Sequence, residues 1–272
     1  WNPSEKNNML GIKRETNAIL ALAYRDVLKF TRDPSRLIAT LVLPVLLIGL
    51  FGEGLQASLG SNLGYNYLTF VFLGVFAQTL FQSTALGIVS LIEDRENDFA
   101  QEIFISPISR YSLIFGKILG ESLVAFAQAV VLVAFSAIIG IQINWTALPG
   151  LLFVAFVTCL LGGAFGLLLL ATIGSQRAAN QILPFLIVPQ LILAGVFNPL
   201  KGLPPYLDLA SQIAPLRYAV DLTRAVYYQG QPAVYEKVVL LSPLMNLLIM
   251  TGMFALFLIA GTILFVRSER NK

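Results

Sequence analysis

The chain has 272 residues, of which 57% are hydrophobic and 12% charged, with a formal net charge of +3. A soluble domain carries about 45–50% apolar and about 25% charged residues, so the composition excludes an ordinary soluble fold. It has no histidine and a single cysteine, Cys159, which excludes histidine-based acid–base catalysis, histidine metal sites and an intrachain disulfide.

The apolar excess comes in uncharged runs longer than the roughly 18 residues that mark a membrane-crossing helix. The reading is an all-α integral membrane protein with six transmembrane helices. Around them it places an N-terminal interfacial amphipathic helix, a cytoplasmic coupling helix, and short extracellular re-entrant-type helices between spans five and six. The divisions are an N-terminal segment 1–36, a six-span domain 37–266 and a cytoplasmic tail 267–272.

Arg14 to Arg32 reads as the amphipathic helix. Ile19, Leu20, Ala23, Tyr24, Val27 and Leu28 make an apolar stripe, while Arg25, Lys29, Arg32 and Arg36 share a cationic face suited to lipid phosphates. Asp33-Pro34 breaks it. Span one is Leu37–Leu55, kinked at Pro44, and span two is Tyr67–Ile92. Span three is Ser112–Ile141 and span four Leu148–Ile173. Span five, Gln181–Phe197, carries Pro184 and Pro189 and is expected to be bent or broken. The connection 198–242 shows two helical patches, Leu207/Ala210/Ile213 and Leu216 to Tyr227. Span six is Pro243–Val266. Fourteen of the 18 Lys and Arg fall in the N-terminal segment, the loops after spans two and four and the tail, against four in the connection 198–242, so both termini are predicted cytoplasmic, in a plasma-membrane, multi-pass protein.

The loop 93–111 is the strongest functional signal. It is mainly acidic (Glu93, Asp94, Glu96, Asp98, Glu102), yet it carries Phe99, Ile103 and Phe104 at helical spacing before Pro107. A loop serving topology alone would favour Lys and Arg and would hide its apolar side chains. An amphipathic helix between two spans offers a soluble partner both charge and an apolar face. No stretch matches the phosphate-cradling pattern GxxxxGK[ST], so the chain itself is expected to bind neither ATP nor a metal.

Within the spans, Gln78, Gln82 and Ser83 lie mid-membrane in span two, and Gln190 sits beside Pro189 in span five. Polar side chains in lipid point inward, either to bond neighbouring helices or to line a substrate path. Glu121, one turn past Lys117, is read as structural, the two pairing or snorkelling to the cytoplasmic surface, with a proton relay as the alternative. Gly116/Gly120 and Gly162/Gly166 are spaced for close helix packing within one subunit. In the outer connection, Arg217, Asp221 and Arg224 share one helix face at salt-bridge spacing, as a gate latch or a solvated face; Pro204 and Pro215 flank that region.

The motifs Asp94-Arg95-Glu96, Glu102, Pro107-Ile108-Ser109-Arg110 and Gly116-Lys117 resemble the cytoplasmic loop of ABC-2 type exporter permeases. Gln128, Phe197-Asn198-Pro199, Leu203-Pro204, Ala214-Pro215-Leu216 and Arg224 are similar to further positions of that family. Asn97-Asp98 departs from it, where many relatives carry a glycine. The resemblance implies an exporter permease subunit moving an amphipathic drug-like or lipid-like cargo. Asp94, Arg95, Glu96, Phe99, Glu102, Ile103, Phe104, Pro107 and Arg110 would receive force from two copies of a separate ABC ATPase, which bind the ATP and Mg. It also implies a second permease chain, identical in the simplest assembly, within membrane lipid. No nucleic-acid partner is expected. The alternatives are a glycolipid or polysaccharide exporter of the same fold, and an ATP-independent ion-coupled carrier.

Overall fold

The computed structural model describes residues 3–54, 56, 63–92, 110–141, 144–173 and 175–270. Among them every regular element is a helix: α1 (Pro3–Thr31), α2 (Pro34–Leu47), α3 (Tyr67–Val89), α4 (Arg110–Ile138), α5 (Leu148–Thr172), α6 (Gln176–Leu193), α7 (Pro205–Ile213), α8 (Pro215–Tyr227), α9 (Pro232–Val238) and α10 (Pro243–Arg270). A π-helical stretch, Ile48–Glu53, extends α2, and a short 3₁₀ turn, Trp145–Ala147, leads into α5.

Local chemistry sets the helix starts. Asn66 caps α3, its Oδ1 accepting from Thr69 N at 2.9 Å, and Ser175 caps α6, its Oγ accepting from Ala178 N at 3.2 Å. α7, α8 and α9 each open on proline, where the missing N–H costs nothing. That repeated proline marks α9 as well, which the apolar pattern alone does not reveal.

Helix α3 is the central post. It is apolar all round, as a helix enclosed on every side must be, and it packs against α4, α5 and α8. α10 runs along α5, and α1 along α4. Glycines bring these axes together. At Gly162 a side chain would strike Phe81 O and Thr84 on α3, and at Gly166 it would strike Ala85 O. Gly116 and Gly120 receive α1 through Ile19, Leu22, Ala23 and Asp26. Both glycine pairs therefore serve packing within the chain. Cys159 is buried in the core as a packing residue.

Among the described residues, four helices are long and apolar enough to cross a membrane: Tyr67–Val89, Ser112–Ile138, Trp145–Thr172 and a stretch within Pro232–Arg267. α2 and α6 are shorter in their apolar parts. Gln176, Arg177, Asn180 and Gln181 occupy the start of α6, so its apolar length begins only at Ile182. α6 is continuous, with Pro184 and Pro189 both inside it, so of the bent or broken span that the sequence predicts, the break is excluded. Each proline removes one backbone donor, a loss a helix tolerates at membrane depth when its neighbours compensate.

α1 begins at Pro3 rather than near Arg14. Ile19, Leu22, Ala23 and Asp26 meet the glycine face of α4, with Ala23, Asp26 and Phe30 buried, while Leu20 and Tyr24 of the predicted stripe are exposed.

Gly166→Val is expected to destabilise the chain by at least the ~1–3 kcal/mol typical of overpacking, because the obstructing atoms belong to the α3 backbone. Gly252→Val, with nothing within 4 Å of the added carbon, is the control. Thermal unfolding in detergent compares them; equal melting temperatures would contradict the glycine-seated packing.

Candidate functional site

Asp94, Arg95, Glu96, Phe99, Glu102, Ile103, Phe104 and Pro107 lie outside the described residues, and Arg110 is described only as the first residue of α4. The two helix ends that flank this loop are the Val89 end of α3 and the Arg110 end of α4. There Lys117 of α4 is buried between two carboxylates, its Nζ 3.2 Å from Asp26 Oδ2 of α1 and 2.8 Å from Glu121 Oε1 one turn on. Arg25 Nη2 donates to the other Asp26 oxygen at 3.1 Å. The Glu121 carboxylate lies directly on Gly87 of α3, where any side chain would displace it. An ionic cluster thus fastens α1, α4 and α3 together beside the loop. Among the described contacts it sets two cations against two carboxylates, the pairing that buried charges require.

Midway along α3, Gln78, Gln82 and Ser83 line a cavity of about 250 Å³ with Thr79, Pro44 and Gln128. Gln78 Nε2 donates to Gln82 Oε1 at 3.0 Å. Gln78 Oε1 and Gln128 Oε1 are buried without a hydrogen-bond partner among the described residues, and each such oxygen costs about 1–3 kcal/mol until something donates to it. Gln190 does not line this cavity. It borders a narrow crevice that shares Gln78 and Gln82 with it.

At the Tyr67 end, α8 is buried at every position except Val226, which overturns the solvated-face reading of Arg217, Asp221 and Arg224. These residues also form no ion-pair row, because each is claimed by a different element. Arg217 Nη1 bonds Asp208 Oδ1 at 2.9 Å and Ser211 Oγ, tying α7 to α8. Asp221 accepts from Leu240 N, Leu241 N and Asn246 Nδ2 at 2.8, 2.9 and 2.8 Å, which fixes the start of α10. Arg224 Nη2 donates to Val196 O at 3.1 Å and Phe70 O at 3.3 Å, and its guanidinium carbon sits 3.5 Å above the centre of the Phe70 ring. Pro215 is buried at the start of α8, and Pro204 is exposed before α7.

Gly74 makes the Arg224 contact possible. A Cβ there would lie 2.7 Å from Val196 O and 3.1 Å from the guanidinium. Burial pulls the Arg224 pKa down to about 10, which leaves it cationic at neutral pH. Tyr65, Tyr67 and Tyr228 surround it, and Tyr67 Oη donates to Phe197 O at 2.6 Å. The Arg217 hydrogen bond holds the exposed Asp208 carboxyl below its usual range.

Sequence reasoning missed Asp26, hidden among the cations of α1, and the tyrosine and Phe70 shell around Arg224. The pairs Tyr65/Tyr67 and Tyr227/Tyr228 were the available signal. Among the described residues no histidine, cysteine or carboxylate cluster suits a metal.

Residues 17–228 match the family described as ABC-2 type transporter. The chain is 28% identical to the transport permease ycf38 of Cyanophora paradoxa over 77% of its own length and 73% of that protein. It is 30% identical to ycf38 of Pyropia yezoensis with the same coverage. Its 26% identity to YbhR of Escherichia coli, named as a probable multidrug ABC transporter permease, spans 53% of this chain and 40% of that protein.

Gly74→Ala is expected to lower stability by ~1–3 kcal/mol, against the gain a mid-helix Gly→Ala change normally brings. Gly49→Ala, in open space, is the control for thermal unfolding. Asp208→Asn tests the Arg217 bond. A lowered carboxyl pKa stabilises above the unfolded value of about 3.9 and loses that effect as pH falls through the folded value. The wild-type advantage in melting temperature should be present at pH 6 and be lost as the pH falls below the unfolded value and through the lowered folded one; an advantage independent of pH would contradict the bond.

Proposed function

This chain belongs to the ABC-2 type transporter family, and from that premise we propose that it is the permease subunit of an ATP-driven exporter. It moves an amphipathic drug-like or lipid-like molecule outward, powered by a separate ATPase that holds the ATP and Mg. The family and the four long apolar helices make it a multi-pass membrane protein of a transport complex. The finer reading adds α2 with its π-helical extension and α6 as further spans, six in all, with both termini cytoplasmic in the plasma membrane. α1 then lies along the cytoplasmic surface with Leu20, Tyr24, Lys29 and Arg32 facing lipid, and α7, α8 and α9 sit on the outer side. A second, identical permease chain completes the path.

The observation that carries this reading is the placement of α3. One end leads directly into the acidic, Phe-bearing loop, and its flank lines the glutamine cavity. Its other end is held by Arg224. Force delivered by an ATPase to Asp94, Arg95, Glu96, Phe99, Glu102, Ile103, Phe104, Pro107 and Arg110 would enter α3 and α4 together, because the Lys117 cluster couples them. α3 would carry it past the cargo cavity to the outer clasp, where Arg217, Asp221 and Arg224 act as the gate and Pro204 and Pro215 fix the helices beside it. Gln78, Gln82 and Ser83, with Gln190 at the adjoining crevice, would offer hydrogen bonds to the polar part of a cargo whose remainder meets Leu43, Leu47 and Leu86. An ion-coupled carrier would usually show acidic or broken-helix ion sites at mid-membrane; the described lining of the cavity carries no charge and α6 is continuous, which favours the exporter.

Co-purification with a co-expressed ABC ATPase in mild detergent tests the proposal. Wild type should retain the ATPase and raise its turnover. The double change Phe99→Ala, Glu102→Lys should weaken the complex about tenfold or more, a loss of about 1.4 kcal/mol. An ATPase held equally by both would place coupling elsewhere in the chain, and absence of any ATPase from wild type would overturn the exporter reading.

A further inference from the structure

α4 and α10 both pack on α5, Ile118 of α4 at Gly163 and Gly261 of α10 on Leu167. Between them runs a groove of about 300 Å³, lined by Ile114 and Phe115 of α4 and by Leu258, Ile259, Thr262 and Ile263 of α10. Phe115, Ile259 and Ile263 are exposed, so the groove opens on the outside of the bundle, where the acyl chains of a bilayer would lie. It shares no lining residue with the glutamine cavity.

The groove is graded along α10. Ile259, Ile263 and Arg267 are four apart and share one helix face. Arg267 is exposed at the end of the apolar stretch, and no described residue forms an ion pair with it. A helical side chain leans over the turn before its own, which for Arg267 is the turn that carries Ile263, and a long cationic stem still lets its head reach the membrane surface. Thr262 lies about 7.5 Å nearer mid-membrane, at the rise of about 1.5 Å per helical residue, and Leu258 and Ile259 lie one turn deeper still. The residues that follow Val266 hold Arg267, Arg270 and Lys272 against Glu269 alone.

Cation, hydroxyl and apolar wall thus follow one another in the order that phosphate, ester and acyl chain take in a phospholipid. We propose that this groove binds an anionic phospholipid of the bilayer. Its phosphate meets Arg267, an ester carbonyl accepts from the Thr262 hydroxyl, and one acyl chain lies between Phe115 and Ile259. Cations immediately beside a span attract anionic headgroups in this way. A zwitterionic lipid would bring a cation of its own towards Arg267, and an apolar span of a second copy would fill the groove but leave the guanidinium without an anion. The exporter reading enters only in naming the leaflet: with the Arg267 end cytoplasmic, the inner leaflet supplies the lipid. Binding needs neither ATP nor an ATPase, so its failure would leave co-purification of the ATPase untouched.

Photolabelling in lipid tests it. The full chain in phosphatidylcholine nanodiscs receives a trace of phosphatidylglycerol bearing a diazirine in its acyl chain, or of phosphatidylcholine with the same chain. Labelled peptides are mapped by mass spectrometry. The phosphatidylglycerol probe should label residues 112–118 and 256–264 about fivefold more strongly, the step one arginine contributes at an anionic surface. Residues 148–156, where Leu152, Phe153 and Phe156 are also exposed, should show no preference between heads. Arg267→Gln should make the two probes equal in the groove. Ile263→Trp, which fills the groove from an exposed position, should abolish labelling there and spare 148–156. Equal labelling by the two heads in wild type, a preference that survives Arg267→Gln, or labelling unchanged in Ile263→Trp would each overturn the proposal. So would the same preference over 148–156, which marks an annular lipid shell only, and a groove that neither probe labels, as a second copy seated in it would leave it.

Discussion

Charges buried against α3 must be satisfied without water, and most of the architecture follows from how that is done. At one end Arg224 has two backbone carbonyls and the face of Phe70, a desolvated cation–π contact of the kind that contributes about 2 kcal/mol. At the other, Lys117 has Asp26 and Glu121, with the Glu121 carboxylate seated on Gly87. Gly74 and Gly87 are the points where α3 yields space to these groups. A buried ion left without its partner costs several kcal/mol, so neither clasp can loosen gradually. Each is either closed or exchanged for another set of contacts, which is the behaviour a transport gate requires.

α5 lays Gly162 and Gly166 against the backbone of the post between the clasps, and α8 is buried almost throughout. On the proposed reading, displacement of one end of α3 is passed to the other through these contacts. The glutamine cavity lies on the flank of this helix and includes two amide oxygens with no partner among the described residues. A donor from a polar group would offset their cost within an otherwise largely apolar wall.

The apolar runs made the long helices legible because a run of that length has few alternatives to crossing a membrane, and the loop motifs 94–117 carried the family. Glycine spacing carried the packing of α5 on α3 and of α1 on α4. The outer helices were legible only in part. Spacing placed Arg217, Asp221 and Arg224 on one face of α8, but it could not say that Asp208, the 240–246 backbone and Phe70 would each claim one of them, since those partners come from distant segments. Asp26 was missed for the same reason: among Arg25, Lys29 and Arg32 it reads as one acid on a basic face, and only the approach of Lys117 reveals its role. The continuous helix of α6 through two prolines was not legible from proline spacing.

The account stands on α3 carrying motion from the loop at its Val89 end to the Arg224 clasp at its Tyr67 end. The most direct test is hydrogen exchange read by mass spectrometry on the complex with its ATPase, with and without a non-hydrolysable ATP analogue. Nucleotide should change protection in peptides covering 194–200 and 215–228 as well as in those flanking the loop. Protection that changes beside the loop while those distant peptides stay constant, with the ATPase bound, would contradict transmission through α3.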